Sequence, residues 1–251
     1  MNRASGPSAW RSDLDLTGYL GLARGLGLQR ALDVVAGNVA NADTTGFRRQ
    51  DLVFAKDLRH AGEPGQVAFA QDFGTVVDRK EGALRSTGAA LDLALVGPGW
   101  FQVETAEGER LTRAGRFTTD AAGRLVAGDA AVLDNGGAPI ILPDDARSIT
   151  IAADGTISAD EVVVARLGLV QPGDDAALVP EGSGRYRTDG PIVPAEAALV
   201  VQGSLEGSNV QPVREMTRLI EVTRAFESTQ RLLETHHDLA RRTVDRMLAS
   251  S

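Results

Sequence analysis

Residues 212–248 read PVREMTRLIEVTRAFESTQRLLETHHDLARRTVDRML, with no glycine and only the leading proline. Leu219, Phe226, Leu233, Ala240 and Met247 recur every seven residues. Met216, Thr223, Gln230, His237 and Val244 form a companion series three residues earlier. This repeat predicts one long helix with a coiled-coil seam, one row aliphatic and aromatic, the other partly polar. The remaining faces alternate charge, as in Arg224, Glu227, Arg231 and Glu234, which suits positions facing water. Pro212 falls in the first turn, where no backbone N–H is needed, and Asn209 is the expected helix cap. At ~1.5 Å per residue such a helix reaches about 55 Å. That exceeds a compact domain of this size, so the seam needs a second helix, other subunits, or both.

The second helix is expected near the N-terminus. Leu28, Leu32, Val35 and Val39 step by four, three and four along one helical face. Gly18, Gly21, Gly25, Gly27 and Gly37 interrupt the same stretch, each costing roughly 1 kcal/mol against alanine. Such a helix is weak alone and forms when packed on a partner, which the glycines let approach closely. Residues 1–16, polar and without periodicity, are expected to be disordered. The helix should end near Asn41, with Gly46 as the natural site of a positive φ.

Residues 43–86 mix Gly, Pro, charge and short apolar runs, and read as an extended connector. Residues 87–203 read as β: Leu91, Leu93 and Leu95 alternate, as do Phe101 and Val103. Acidic residues followed closely by Gly108, Gly123 and Gly155 mark hairpin turns. No helical pattern intervenes, which argues for short antiparallel strands. The fold class expected is therefore α+β. Residues 17–42 and 204–251 would form a coiled-coil-like helical stalk, with a mainly antiparallel β domain inserted between them.

Composition narrows the chemistry. The 251 residues carry a formal net charge of -8, with 26 Lys plus Arg against 34 Asp plus Glu, an unfavourable balance for a general nucleic-acid binder. There is no cysteine, which excludes disulfides, thiol catalysis and thiolate metal sites. Only 11 residues are aromatic (Phe 7, Trp 2, Tyr 2), so packing must be aliphatic. No stretch reaches the ~20 apolar residues of a membrane span, and the start lacks the pattern of a cleaved signal peptide. His236 and His237 are adjacent, so on a helix they point about 100° apart and do not chelate one ion. Asp144 and Asp145 follow Pro143 as a solvated turn, and Gly25-Leu26-Gly27 follows no strand, unlike a dinucleotide fingerprint. No nucleophile, base and orienting group come together. No cofactor, no metal and no catalytic residue is expected.

Several blocks carry a family likeness. Residues 32–41, LDVVAGNVAN, followed by Asp43-Thr44-Thr45-Gly46-Phe47-Arg48, resemble the N-terminal signature of flagellar basal-body rod and hook proteins, with Asp43 in place of the usual Asn. Asn38, Asn41, Thr44, Gly46 and Phe47 are the positions that match. Thr87-Gly88-Ala89-Ala90-Leu91-Asp92-Leu93-Ala94, Gly99-Trp100-Phe101, Thr112-Arg113-Ala114-Gly115-Arg116-Phe117 and residues 120–126 resemble the middle blocks, with Ala89-Ala90 and Leu111 departing from the usual Asn and aromatic. Leu205-Glu206-Gly207-Ser208-Asn209-Val210 and residues 215–227 are similar to the closing helix. That helix, M-T-x-L-I-E-x-x-R-A-F-E, is more like one rod subtype than like the distal rod subtype, whose version is M-V-x-M-I-x-x-Q-R-A-Y-E.

The resemblance implies a non-enzymatic subunit of the flagellar rod in the periplasmic space, assembled through its terminal helices into a helical tube. It implies proximal and distal rod subunits, and copies of itself, as partners. It also implies export by the flagellar type III apparatus without a cleaved signal. The expected interface is Leu28, Leu32, Val35, Val39, Met216, Leu219, Ile220, Phe226, Leu233, Val244 and Met247. Members usually begin near the position of Tyr19; residues 1–17 are either a genuine extension or the product of an upstream start. Another axial protein, and a soluble coiled-coil dimer that binds other molecules, are the alternatives.

Overall fold

The computed structural model describes residues 9–58, 69–173 and 177–249. Helices α1 (Ala9–Ala40) and α2 (Pro212–Ala249) lie at the two ends of the chain. Every strand pair with a defined register between them is antiparallel. The α+β class follows as expected. The chain divides into two compact units: Met1–Gly37, Leu52–Gly74 and Val213–Ser251 form one, Asn38–Asp51 and Thr75–Pro212 the other. The β unit is thus wider than residues 87–203, taking in the turn after α1 and the chain on both sides.

Two local expectations need correction. Residues 9–16, expected to be disordered, are the first two turns of α1; residues 1–8 lie outside the described residues. Neither glycine nor proline occurs between Ala9 and Thr17, whereas Gly6 and Pro7 stand just upstream. The absence of breakers outweighs the weak apolar periodicity there. The connector is also more ordered than its composition suggested. Strands Gln50–Leu58 and Phe69–Val77 pair with each other, and Leu84–Ser86 pairs with Ser204–Glu206. Val53, Phe54, Phe69, Phe73, Val76 and Val77 supply β-favouring side chains that the intervening Gly and charge obscured.

The main sheet runs, in spatial order, Leu178–Gly182, Arg185–Thr188, Gly108–Thr112, Trp100–Thr105, Ala130–Val132, Leu125–Ala127 and Thr118–Thr119. Leu169–Pro172 joins it at Phe101 and Trp100. A three-stranded sheet, Ile149–Ile151, Thr156–Ala159 and Val162–Arg166, lies beside it in sequence. The three acidic-Gly turns all place their glycine at positive φ, 109° at Gly108, 74° at Gly123 and 86° at Gly155.

The core of this unit is aliphatic, as the scarcity of aromatics requires. Leu93, Leu95, Phe101, Val103, Leu125, Val132 and Ile157 are all at most 1% exposed. Each such side chain contributes about 1.5–3 kcal/mol by leaving water. Phe101 and Phe117 meet edge to face at 5.0 Å, an arrangement favoured by the ring quadrupoles.

Candidate assembly surface and anchoring corner

On α1 the expected face is the inward one: Val35 is 1% exposed, and Leu28, Leu32 and Val39 are half-buried. On α2 Leu219, Phe226 and Leu233 of the seven-residue row are half-buried. The expected companion series is mixed: Thr223 is half-buried, the other described members exposed. Met216 is 52% exposed, and Gln230 and His237 are exposed. Three residues after the seam positions, Thr229 is buried and Val222 and His236 are half-buried, and Glu215, four residues before Leu219, is buried as well. Threonines on both rows satisfy their hydroxyls within the helix, Thr223 through the Leu219 carbonyl at 2.8 Å. Thr229 Oγ1 donates to the Ala225 carbonyl at 2.9 Å, and Glu215 sits in the first turn, where the helix dipole favours a carboxylate. The side chains of Ala240, Val244 and Met247 lie outside the described residues.

Rotating the seam leaves apolar side chains on the opposite side of α2. Val213, Met216 and Ile220, spaced three and four apart, are 78%, 52% and 53% exposed. At about 100° per residue they form one stripe facing away from the seam. On α1, Leu22 and Leu26 form a similar pair, 56% and 52% exposed. Between the helices the contact is tight: a β-carbon on Gly21 would fall 2.5 Å from Cδ2 of Leu233.

The motif after α1 builds a corner. Asn38 is fully buried, its Nδ2 donating to the Gln50 carbonyl at 2.8 Å and its Oδ1 accepting from the Gln50 N–H at 2.9 Å. Its amide thus supplies both bonds that a paired strand would. Asn41 Oδ1 accepts from Thr44 Oγ1 at 3.0 Å, and the Asn41 carbonyl accepts from the Thr44 N–H at 3.1 Å. Gly46 has φ 68°, and a β-carbon there would collide with the Arg113 carbonyl group, so the turn requires glycine. Phe47 is 6% exposed.

Asn209 does not cap α2. Its Oδ1 accepts from the Arg49 N–H at 2.6 Å, and its Nδ2 donates to the carbonyls of Asp78 and Lys80 at 3.1 and 2.8 Å. With Pro212 as the first helical residue, Gln211 holds the cap position, and Asn209 is two residues too early. Instead Asn209 binds the strand that leaves the corner to the chain that returns toward α2. The Gly46 N–H donates to the Glu206 carbonyl at 2.8 Å, alongside it.

Beneath the corner lies a charge cluster that the sequence did not announce. Glu206 and Arg48 are fully buried and Arg113 nearly so. Glu206 Oε1 lies 2.7 Å from Arg48 Nη1 and accepts from the Gly82 N–H at 2.8 Å. Its Oε2 accepts from Arg113 Nη1 at 3.2 Å. Arg113 also donates to the carbonyls of Leu95 and Gly97, at 3.1 and 2.6 Å. Both guanidinium groups stand over the Trp100 ring, at 6.0 Å for Arg48 and 5.7 Å for Arg113, within cation–π range. Tyr186 meets Trp100 edge to face at 5.0 Å, and its hydroxyl accepts from the Arg48 backbone N–H at 3.1 Å. Burial pulls the Arg113 guanidinium below its ordinary range; Glu206 opposes this and Arg48 adds to it. Burial also pushes the Tyr186 hydroxyl up, against the Arg48 hydrogen bond and charge. All five residues are within or beside the motif blocks except Tyr186. No local pattern in the sequence announces that Arg48, Arg113 and Glu206 are turned inward.

A cleft of about 500 Å³ in the β unit is lined by Leu169, Val170 and Leu199, with Asp154 and Arg166 3.8 Å apart at its edge. It assembles no nucleophile with a base. Among the described residues no group of three or more His, Cys, Asp or Glu is placed to hold a metal ion, and no helix is long and apolar enough to cross a membrane.

Three family models match the chain in order. Residues 27–48 match the flagella basal body rod protein model. Residues 94–159 match the flagellar hook protein FlgE/F/G D1 domain, and residues 201–246 the flagellar basal body rod FlgEFG protein C-terminal model. The flagellar basal-body rod protein FlgF of Caulobacter vibrioides is 41% identical over 236 residues, covering 91% of this chain and 96% of that protein. FlgF of Rhizobium meliloti is 37% identical over 224 residues, 86% of this chain and 90% of that one. FlgG of Bacillus subtilis is 31% identical over 256 residues, 90% of this chain and 97% of its own length. With motif corner, β unit and closing helix all matched in order, the chain belongs to the flagellar basal-body rod protein family as a FlgF-like structural subunit, not an enzyme.

Proposed function

We propose that this subunit assembles through its terminal helices, with α1 and α2 packed as a coiled-coil-like pair and their outward stripes meeting neighbouring subunits. The observation that carries the reading is the exposed row Val213, Met216 and Ile220 on α2 together with Leu22 and Leu26 on α1. Contiguous apolar side chains on a water-facing side mark interaction surfaces. A stripe that meets a different surface on the next subunit propagates as an open helix instead of closing, which suits a rod. The inward face, Leu28, Leu32, Val35, Val39, Leu219, Phe226 and Leu233, holds the pair together. Val244 and Met247 extend the interface.

In this reading the neighbours are proximal and distal rod subunits and further copies of the chain. The subunit stands in the periplasmic space, having left the cell through the flagellar type III apparatus. The test is the double variant Met216→Asp, Ile220→Asp. The expected outcome is a folded β unit, no incorporation into purified basal bodies and loss of motility. Normal incorporation would sink the proposal, and a closed dimer in scattering would favour the soluble coiled-coil alternative.

A further inference from the structure

We infer that residues 46–50 form a latch that opens as a unit ahead of the β core, and that Arg48 sets how readily it opens. The segment is fastened in an unusual way. Of its five N–H groups, those of Gly46 and Phe47 donate to backbone carbonyls, of Glu206 and of nearby Thr44. Those of Arg48, Arg49 and Gln50 donate to side chains: Tyr186 Oη, Asn209 Oδ1 and Asn38 Oδ1. These three bonds lie outside the main sheet; the Phe47 and Arg49 carbonyls accept in addition from the Asn209 and Asp78 N–H groups, at 3.3 and 2.8 Å. Regions secured in this way open with lower free energy than the strands beneath them.

The charge cluster adds a reason for opening. Two arginines share one carboxylate, so the docked state buries an excess positive charge. The aligned hydrogen bonds go to Arg113. Arg48 Nη1 pairs with Glu206 Oε1 at 2.7 Å, but its Nε and Nη2 have no hydrogen-bond acceptor in the protein, at zero exposure. A buried donor without an acceptor carries its full desolvation cost. When the corner lifts, Arg48 regains water, while Glu206 keeps both the Gly82 N–H and Arg113. Opening therefore relieves Arg48, at the cost of the bonds to Tyr186 and Asn209 and of the burial of Phe47.

The consequence runs against the usual rule for buried ion pairs, in which deleting a partner destabilises. Removing Arg48 leaves a matched Arg113–Glu206 pair, whereas removing the charge of Glu206 leaves two buried arginines unmatched. The experiment is amide exchange by NMR on the full chain. It compares the N–H groups of Arg48, Arg49 and Gln50 with those of Gln102, Leu125 and Leu133, which donate to backbone carbonyls within the β core. In the unmodified chain the corner should exchange at least about 100-fold faster than the core. Arg48→Met, which keeps an unbranched side chain over Trp100, should slow the corner several-fold and leave the core unchanged. Glu206→Gln should speed it.

Corner and core exchanging together in the unmodified chain would overturn the latch. Faster corner exchange in Arg48→Met, or a core left unprotected by that change, would show Arg48 to be an anchor and overturn its assigned role. Neither result bears on assembly through the helices, which incorporation into basal bodies reads separately.

Discussion

The β unit and the helices treat the same kind of side chain in opposite ways. Phe101 and Val103 are wholly buried, whereas Leu22, Leu26, Met216 and Ile220 each expose more than half of their surface. The β unit also exposes Val76, Ile141, Val162, Val163 and Leu199 by more than half, singly or in a pair, but its core is complete without them. The helices have no such core: their buried row is only half-buried along much of α2. One region is stabilised by its own chain. The other holds back apolar surface, which becomes favourable when further subunits cover it.

The sharpest way to break this comparison is a pair of truncations. Phe101→Ala removes a ring from a closed core and should cost about 3–5 kcal/mol. Ile220→Ala removes a side chain that the isolated subunit does not bury, and should change its stability by no more than about 0.5 kcal/mol. Chemical denaturation followed by Trp100 fluorescence in a Trp10→Phe background would measure the first, and helical circular dichroism the second. Equal losses in the two variants would mean that the stripe is part of a core after all.

How far the sequence could be read follows the same division. The long helix, the hairpin turns and the antiparallel strands were legible because each rests on a local rule: a seven-residue period, a glycine after an acidic residue, an alternation. The rotation of the α2 seam was not. The rows starting at Met216 and at Val222 both lie three residues from the Leu219 row, and apolar content favours the first. In the structure the second row is the more buried, with Thr229 at 3% exposure, although Thr223 ties its hydroxyl to its own helix just as Thr229 does. The corner was legible as a motif, but its mechanism was not, because it depends on partners far apart in sequence. Asn209 reaches Arg49, Asp78 and Lys80, and Glu206 reaches Gly82 and Arg113. Local rules for helix capping say nothing about such pairings.

A finer test concerns how closely the helices approach. Gly21 and Gly25 are one turn apart on α1, but only Gly21 has Leu233 against it; a β-carbon on Gly25 would meet nothing within 4 Å. Gly25→Ala should therefore collect the full gain in helix propensity, about 1 kcal/mol. Gly21→Ala should gain less, or lose, because the Leu233 side chain must shift. Thermal melts at 222 nm would read the difference. An identical gain at both sites would mean that the Gly21–Leu233 approach contributes nothing to the pairing of α1 with α2.

The smallest effect expected separates the two regions by pH. The carboxyls of Asp120, Asp129, Asp154 and Glu181, all in the β unit, are held below their ordinary values. For Asp120 the largest cause is the Arg124 N–H, and for Asp154 it is that of Thr156; for Asp129 and Glu181 it is a side-chain hydrogen bond from Arg185 and Arg110 respectively. A carboxyl depressed in the folded state stabilises it above the unfolded pKa, near 4, and loses that contribution as pH falls through the lower folded value. The four groups are exposed, so solvent screens each one and the sum is modest. Between pH 5 and pH 3 the midpoint reported by Trp100 should move down, and 1 M salt should shrink the change for the arginine-paired groups. Asp120→Asn, which cannot titrate, should flatten part of the slope. A Trp100 midpoint that rises on acidification would mean that another group, with the opposite sign, governs the β unit.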